Sequence, residues 1–162
     1  MPCRINMKKH LKWFTVIFAL TAPLSAHALL ADCSVAATGI SFGPYASPGT
    51  TGITNPGGNV AVTCNGLGLL VSYTITLSAG NGTFANRLLK LGSNTITYNV
   101  YSNSTYTQIW GDGTSGTSTI SDSYILSLGS VVRNYPAYGS IPGGQNKPAG
   151  TYSDTLTVTI TY

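Results

Sequence analysis

The chain has 162 residues, 43% of them hydrophobic and only 7% charged, with eight Lys and Arg against four Asp and no Glu. This is the length of one domain, and too apolar for a disordered chain held open by charge. Half of the basic residues (Arg4, Lys8, Lys9, Lys12) are at the amino end, while Arg87, Lys90, Arg133 and Lys147 are matched by Asp32, Asp112, Asp122 and Asp154, so the body is net neutral and lacks the clustered cations that nucleic acid or anionic lipid requires.

Residues 1–28 have the three parts of a secretory signal. A basic region is followed by the apolar run Trp13 to Leu24, and Ser25-Ala26-His27-Ala28 provides a small-residue cleavage site. The apolar run is too short, and too interrupted by proline, to span a membrane. Cleavage is expected after Ala28, whether translation starts at Met1 or Met7, and it removes Cys3. Residues 29–162 are then the exported domain, long enough to bury a core of their own. Cys33 and Cys64 remain as an even pair in an oxidising compartment and are expected to form a disulfide. Metal ligation by the same pair lacks further Cys or His to complete a site.

No helical periodicity follows the signal. Alternating runs separated by Gly, Pro, Asn and Ser predict strands at Ser34 to Phe42, Asn59 to Cys64, Leu70 to Ala79, Thr95 to Ser102, Tyr106 to Trp110, Ser118 to Leu128 with an interruption, Ala137 to Ile141, and Ser153 to Tyr162. There is no internal repeat, and a single antiparallel β-sandwich is the simplest architecture. Tyr73, Tyr98 and Tyr162 fall on the apolar phase of their strands and are expected in the core, whereas Tyr45, Tyr106, Tyr135, Tyr138 and Tyr152 lie near turns. The final run "TLTVTITY", with Leu156, Val158, Ile160 and Tyr162 alternating against threonines, has no charge after Asp154 to blunt it as an edge. It needs a covering partner.

Two motifs resemble catalytic or cofactor signatures. "GISFG", Gly39 to Gly43, has the form of a nucleophile elbow, but both histidines, His10 and His27, belong to the signal and no helix can follow "PYASPG". "GDGTSG", Gly111 to Gly116, has the spacing of a dinucleotide fingerprint but runs into "TSTISDSY" rather than a helix. Ser41 reads as a strand residue, and Asp112 and Asp122 as turn formers rather than a carboxylate pair or calcium ligands. No catalytic, cofactor-binding or metal-binding residue is expected, because proton transfer needs groups with useful pKa values and neither His nor Glu is present after the signal.

Six stretches, "CSVAATGISFGPY" from Cys33, "VTC" ending at Cys64, "YTITLSAGNGTFANRLL" from Tyr73, "TITYNVYSN" from Thr95, "IWGDGT" from Ile109 and "YGSIPGGQNKPAGTYSDTLTVTITY" from Tyr138, carry a resemblance to the spore coat protein U domain family, which also contains subunits of archaic chaperone-usher pili. The likeness covers essentially the whole of residues 29–162, and Phe84 to Leu88 and the lead into the last strand are its most telling parts. The resemblance implies an all-β, immunoglobulin-like, pilin-type sandwich that is incomplete because its seventh strand is absent from its own chain. A groove would lie beside the terminal strand, with Leu156, Val158, Ile160 and Tyr162 at its border. In pili of this kind the groove is filled first by a periplasmic chaperone and then by the amino-terminal extension of another subunit, assembled at an outer-membrane usher; chaperone-pilin pairing is a standard example of β-strand addition.

After the expected cleavage only Leu29, Leu30, Ala31 and Asp32 precede Cys33, fewer than the five or six residues of an ordinary strand. The expectation is therefore a subunit that receives a donor strand and gives none: a terminal or tip-like component of a surface fibre supporting adhesion or biofilm formation, exported through the inner membrane to the periplasm and then the cell surface. The alternative of the same fold is a non-fibrous secreted coat or matrix protein.

Overall fold

The computed structural model describes residues 31–162 apart from 48, 50, 67, 68 and 128, so the expected signal peptide lies outside the described residues. Among the described residues eight strands follow one another: β1 (Asp32–Thr38), β2 (Ile53–Gly66), β3 (Leu69–Leu77), β4 (Arg87–Leu91), β5 (Asn94–Tyr101), β6 (Ile120–Leu126), β7 (Gly129–Ile141) and β8 (Val158–Thr161). They form a five-stranded sheet ordered β1-β2-β7-β5-β4 and a three-stranded sheet ordered β6-β3-β8. Every ladder is antiparallel, and no described residue is helical.

The alternation read in the sequence supplies the core. Val60 and Val62 from β2, Val71, Tyr73 and Ile75 from β3, and Ile96, Tyr98 and Val100 from β5 turn inward at every second position. Burying such a side chain stabilises the fold by about 1.5–3 kcal/mol. Trp110 is fully buried between the layers, where residues 109–111 step from one sheet to the other: its backbone N–H bonds Val100 O at 2.9 Å, its indole Nε1 bonds Ile75 O at 3.3 Å, and Gly111 O accepts from the Leu77 N–H at 3.0 Å. Cys33 and Cys64 are joined by a disulfide and face each other directly in the β1–β2 ladder.

Five strand expectations change. The last strand runs only over Val158–Thr161 instead of from Ser153 to Tyr162, because the extended residues before it pair only at single points, Ser153 with Lys90 and Thr157 with Ser78. The run Tyr106 to Trp110 is no strand, because Asn103 gathers it into a turn: its Oδ1 accepts from the N–H groups of Thr107 and Gln108, and Tyr106 is held at φ 56°. β4 was not anticipated; it makes a hairpin with β5 through Gly92 and Ser93, the Leu91↔Asn94 pair closing a two-residue turn with Gly92 at φ 59°. β7 begins at Gly129 instead of Ala137, carrying Pro136 inside a ladder opposite Asn59. β2 starts six residues earlier than Asn59, at Ile53, across a register shift between Asn55 and Gly58 where Asn55 Oδ1 accepts the Gly57 N–H. Tyr73 and Tyr98 are in the core at 2% and 4% exposure, but Tyr162 is 60% exposed, one residue past the end of β8 and without a facing layer.

Candidate functional site

The two sheets do not close on one side. β1 is one outer strand of the larger sheet and β8 one outer strand of the smaller, where its ladder partner is β3. Ahead of β8 the chain is already extended: half-buried Asp154, Leu156, Val158 and Ile160 alternate with exposed threonines. Thr157 turns its backbone toward β3, its C=O accepting the Ser78 N–H at 2.9 Å and its N–H bonding Ser78 Oγ at 2.8 Å. Strand alternation therefore directs the backbone groups of Leu156 and Val158 to the other, unladdered side.

That side is a groove in two connected parts. The narrower, about 210 Å³, has Leu156 and Val158 as one wall, Ala37 to Ile40 as the other, and Leu77, Val100 and Trp110 among its floor. The wider, about 700 Å³, continues between Ile40 to Tyr45 and Lys147 to Asp154. Leu89, Ile40, Phe42 and Asp154 border both parts. Of the residues expected beside such a groove, Leu156 and Val158 stand in its wall. Ile160 packs on the core beyond it and Tyr162 is out in solvent.

The far wall is shaped by two glycines. Ile40 and Phe42 point inward at alternate positions over β2 and β7, where a Cβ on Gly58 would come within 2.6 Å of Ile40 and one on Gly139 within 2.6 Å of the Phe42 ring. Missing side chains at these points let the extended segment after β1 sit close against the sheet. Phe42 then meets Tyr98 edge to face, 5.9 Å between ring centroids. At the wide end Tyr45 Oη donates to Pro142 O and accepts from the Gln145 N–H, while the Gln145 side chain bonds both N–H and C=O of Thr97, standing in for a neighbouring strand.

Beneath the groove lies a polar cluster whose role the sequence did not disclose. Arg87 is fully buried, and its guanidinium donates twice to Ser78 O, once to Trp110 O and once to Asn99 Oδ1. Burial holds its pKa below the ordinary arginine value. Asn99 in turn bonds the carbonyls of Phe84 and Ala85, so the "FANRL" segment is locked to the core around Arg87. Asp154 accepts from the Asn81 N–H and Nδ2, the Thr155 N–H and the Tyr98 hydroxyl, the last at 2.7 Å. Burial, and then the bond to Asp154, pushes the Tyr98 phenol upward. A charge at position 87 on an otherwise apolar alternation was the available signal, since an Arg on the inward phase needs a built set of acceptors.

The glycine motifs occupy ordinary structural positions. Ser41 is exposed in the extended far wall, its carbonyl accepting from Asn55 Nδ2. Asp112 is a turn former: its Oδ1 accepts from the N–H and Oγ1 of Thr114, which lower its pKa. Asp122, expected in a turn, is instead within β6, where it accepts the Tyr135 hydroxyl at 2.5 Å and pairs with Arg133 at 3.8 Å. Among the described residues no three His, Cys, Asp or Glu side chains converge as a metal site, and no helix is long and apolar enough to cross a membrane.

Two antiparallel sheets packed face to face over one core, with a disulfide between the first two strands, define an immunoglobulin-like β-sandwich. The complex of CsuC with CsuE, a chaperone–tip adhesion subunit pre-assembly complex from the archaic chaperone-usher Csu pili of Acinetobacter baumannii, contains a chain of similar fold, with a TM-score of 0.53 and 25% identity over 82% of this chain and 40% of that one. The family described as Spore Coat Protein U domain matches residues 18–159, and the chain belongs to that family. Protein U of Myxococcus xanthus is 35% identical over 114 residues, which are 65% of this chain and 59% of Protein U. The chain thus spans less than two thirds of either protein's length.

Proposed function

We propose that this protein is a non-enzymatic structural subunit of a bacterial surface fibre of the archaic chaperone-usher type, completed by a β-strand from another chain. The observation that carries this reading is the open groove between Ala37–Tyr45 and Lys147–Val158, with an apolar floor and an unladdered strand edge at Leu156 and Val158. A strand laid there gains backbone hydrogen bonds from the edge and buries alternate side chains on the floor. Four apolar side chains at about 1.5–3 kcal/mol each give a gross gain of about 6–12 kcal/mol, before the cost of ordering the donor.

Processing after Ala28 delivers residues 29–162 to the periplasm, where a chaperone lends the first strand. A further pilus subunit then replaces it at an outer-membrane usher on the way to the cell surface. The likeness to a complex of a chaperone with a tip adhesion subunit supports both the chaperone and a tip-like place that contributes to adhesion and biofilm formation. A second reading, a non-fibrous coat or matrix protein, draws on the likeness to Protein U.

Co-expression with a periplasmic chaperone of the archaic chaperone-usher type separates the two. A fibre subunit co-purifies with the chaperone as a one-to-one complex, and Val158→Asp, which places an unpaired charge against apolar side chains, abolishes that complex. Secretion of a stable monomer that never engages the chaperone supports the coat reading.

A further inference from the structure

The extended segment that forms one wall of the groove carries a charge on its inward phase. Asp154, Leu156, Val158 and Ile160 share the inward phase of one extended segment, so a carboxylate occupies a position at which the alternation elsewhere places an aliphatic side chain. Asp154 also lies where the two parts of the groove meet and borders both. Four donors already reach its oxygens: the Asn81 N–H at 3.1 Å, Asn81 Nδ2 at 2.8 Å, the Thr155 N–H at 2.8 Å and the Tyr98 hydroxyl at 2.7 Å. Three of these share Oδ1 and the Tyr98 hydroxyl alone takes Oδ2, so the carboxylate is held in one orientation while one acceptor direction on Oδ2 stays open to a ligand. Its charge has no partner in direct contact: all four donors are neutral, and among the described residues no Lys or Arg nitrogen lies within ion-pairing distance of it, the buried Arg87 acting on it through space and Lys147 lining the wider part of the groove.

We infer that Asp154 makes the groove charge-selective: an incoming strand carries a basic residue, and never Asp or Glu, at the position that faces Asp154. The inference rests on the strand-acceptor reading above and deepens it by specifying the donor. An oriented carboxylate beside a cleft with apolar walls is screened less than one in open water, so it repels a second carboxylate and attracts an ammonium or guanidinium. The apolar part along Leu156 and Val158 admits any alternating aliphatic strand, whereas Asp154 fixes register and sorts donors by charge. Like-charge repulsion is a common means of excluding wrong partners at little cost in affinity for the right one.

The test refolds the full mature chain, disulfide intact, with synthetic strands of about ten residues alternating Val with Thr, in which Lys, Ser or Glu replaces each Val in turn. Native mass spectrometry of competing pairs reads the bound ratio. At one position of the scan, Lys is expected to bind about tenfold better than Glu, with Ser between them, and raising the salt should shrink the ratio. Asp154→Asn, which keeps two polar atoms for Asn81 and Tyr98, is expected to level the ratio while the Ser strand still binds. Equal binding of Lys and Glu strands at every position overturns the inference and leaves the strand-acceptor reading standing, as does a ratio that survives in Asp154→Asn. Failure of all strands, the unsubstituted one included, counts against the acceptor reading itself and takes the inference with it. Should Asp154→Asn not refold, the salt series in the unmutated chain decides alone, and a ratio indifferent to salt overturns the inference.

Discussion

Arg87→Met keeps the long stem in the core and removes the forked head. The head supplies donors to three acceptors, Ser78 O, Trp110 O and Asn99 Oδ1. Two of these are main-chain carbonyls that no side-chain repacking can take away. Each acceptor left unsatisfied in the interior costs about 1–3 kcal/mol, a gross loss of about 3–9 kcal/mol. Part of this is offset because a guanidinium no longer has to be kept out of water, a penalty of several kcal/mol for a buried ion. The net loss expected is about 3 kcal/mol, a large share of the stability of a domain this size. Arg87→Lys retains the charge but cannot bridge three acceptors, and should fall between the two. Urea unfolding of residues 29–162 is read conveniently by fluorescence, because that span contains Trp110 and not Trp13, and Trp110 sits against the guanidinium. If Arg87→Met unfolds within about 0.5 kcal/mol of the parent, the surface-substitution range, Arg87 does not hold the core together as described.

Gly139→Val puts a branched Cβ within 2.6 Å of the Phe42 ring and should cost about 1–3 kcal/mol by overpacking, seen as a lower urea midpoint and a lost Phe42–Tyr98 contact by NMR. Replacing Cys33 and Cys64 together by Ser opens a loop with a sequence separation of 31 and should lower unfolding free energy by about 3–4 kcal/mol, measured by the same titration. Asp122 has its pKa lowered, chiefly by the Tyr135 hydroxyl and then by the Ser123 N–H and Arg133. A depressed folded value means that its contribution is complete above the unfolded carboxylate value of about 3.9 and is lost as pH falls through the folded one. Below about pH 3.9 the parent should therefore lose stability more steeply than Asp122→Asn in urea titrations run against pH, and parallel acid limbs would contradict the assignment.

What the sequence disclosed follows from where the energy lies. Period-two alternation in "VSYTITL" and "TITYNVY" reports directly on β3 and β5, because each has an inner face against the core. β7 was half hidden, since Val131 to Asn134 near its start carry adjacent apolar and then adjacent polar side chains and only the ladder to β2 shows that they are strand. The Tyr106 run looked like strand by composition, but side-chain bonds from Asn103 overrode its propensity, a contest that residue preference alone does not decide. Within the groove, Leu156 and Val158 were legible from alternation and an unblunted end. The glycines at 58 and 139 and the far wall of Ile40 and Phe42 were not, for their meaning depends on which segments cross in space. Tyr162 shared the phase of the strand but not its surroundings, being 60% exposed beyond the last ladder pair.

The central claim, that the free edge ahead of and along β8 receives a strand from another chain, is tested most directly by residue-resolved hydrogen exchange at the amides of Leu156, Val158 and Ile160, in the isolated mature chain and in its complex with the chaperone. Amides on an unladdered edge exchange readily, whereas those paired in a sheet exchange only through opening. The account predicts fast exchange of these three amides in the isolated chain and strong protection in the complex, with the Thr157 and Thr159 amides that face β3 changing less. Full protection in the isolated chain, unaltered by the chaperone, would show the edge to be already closed and contradict the account.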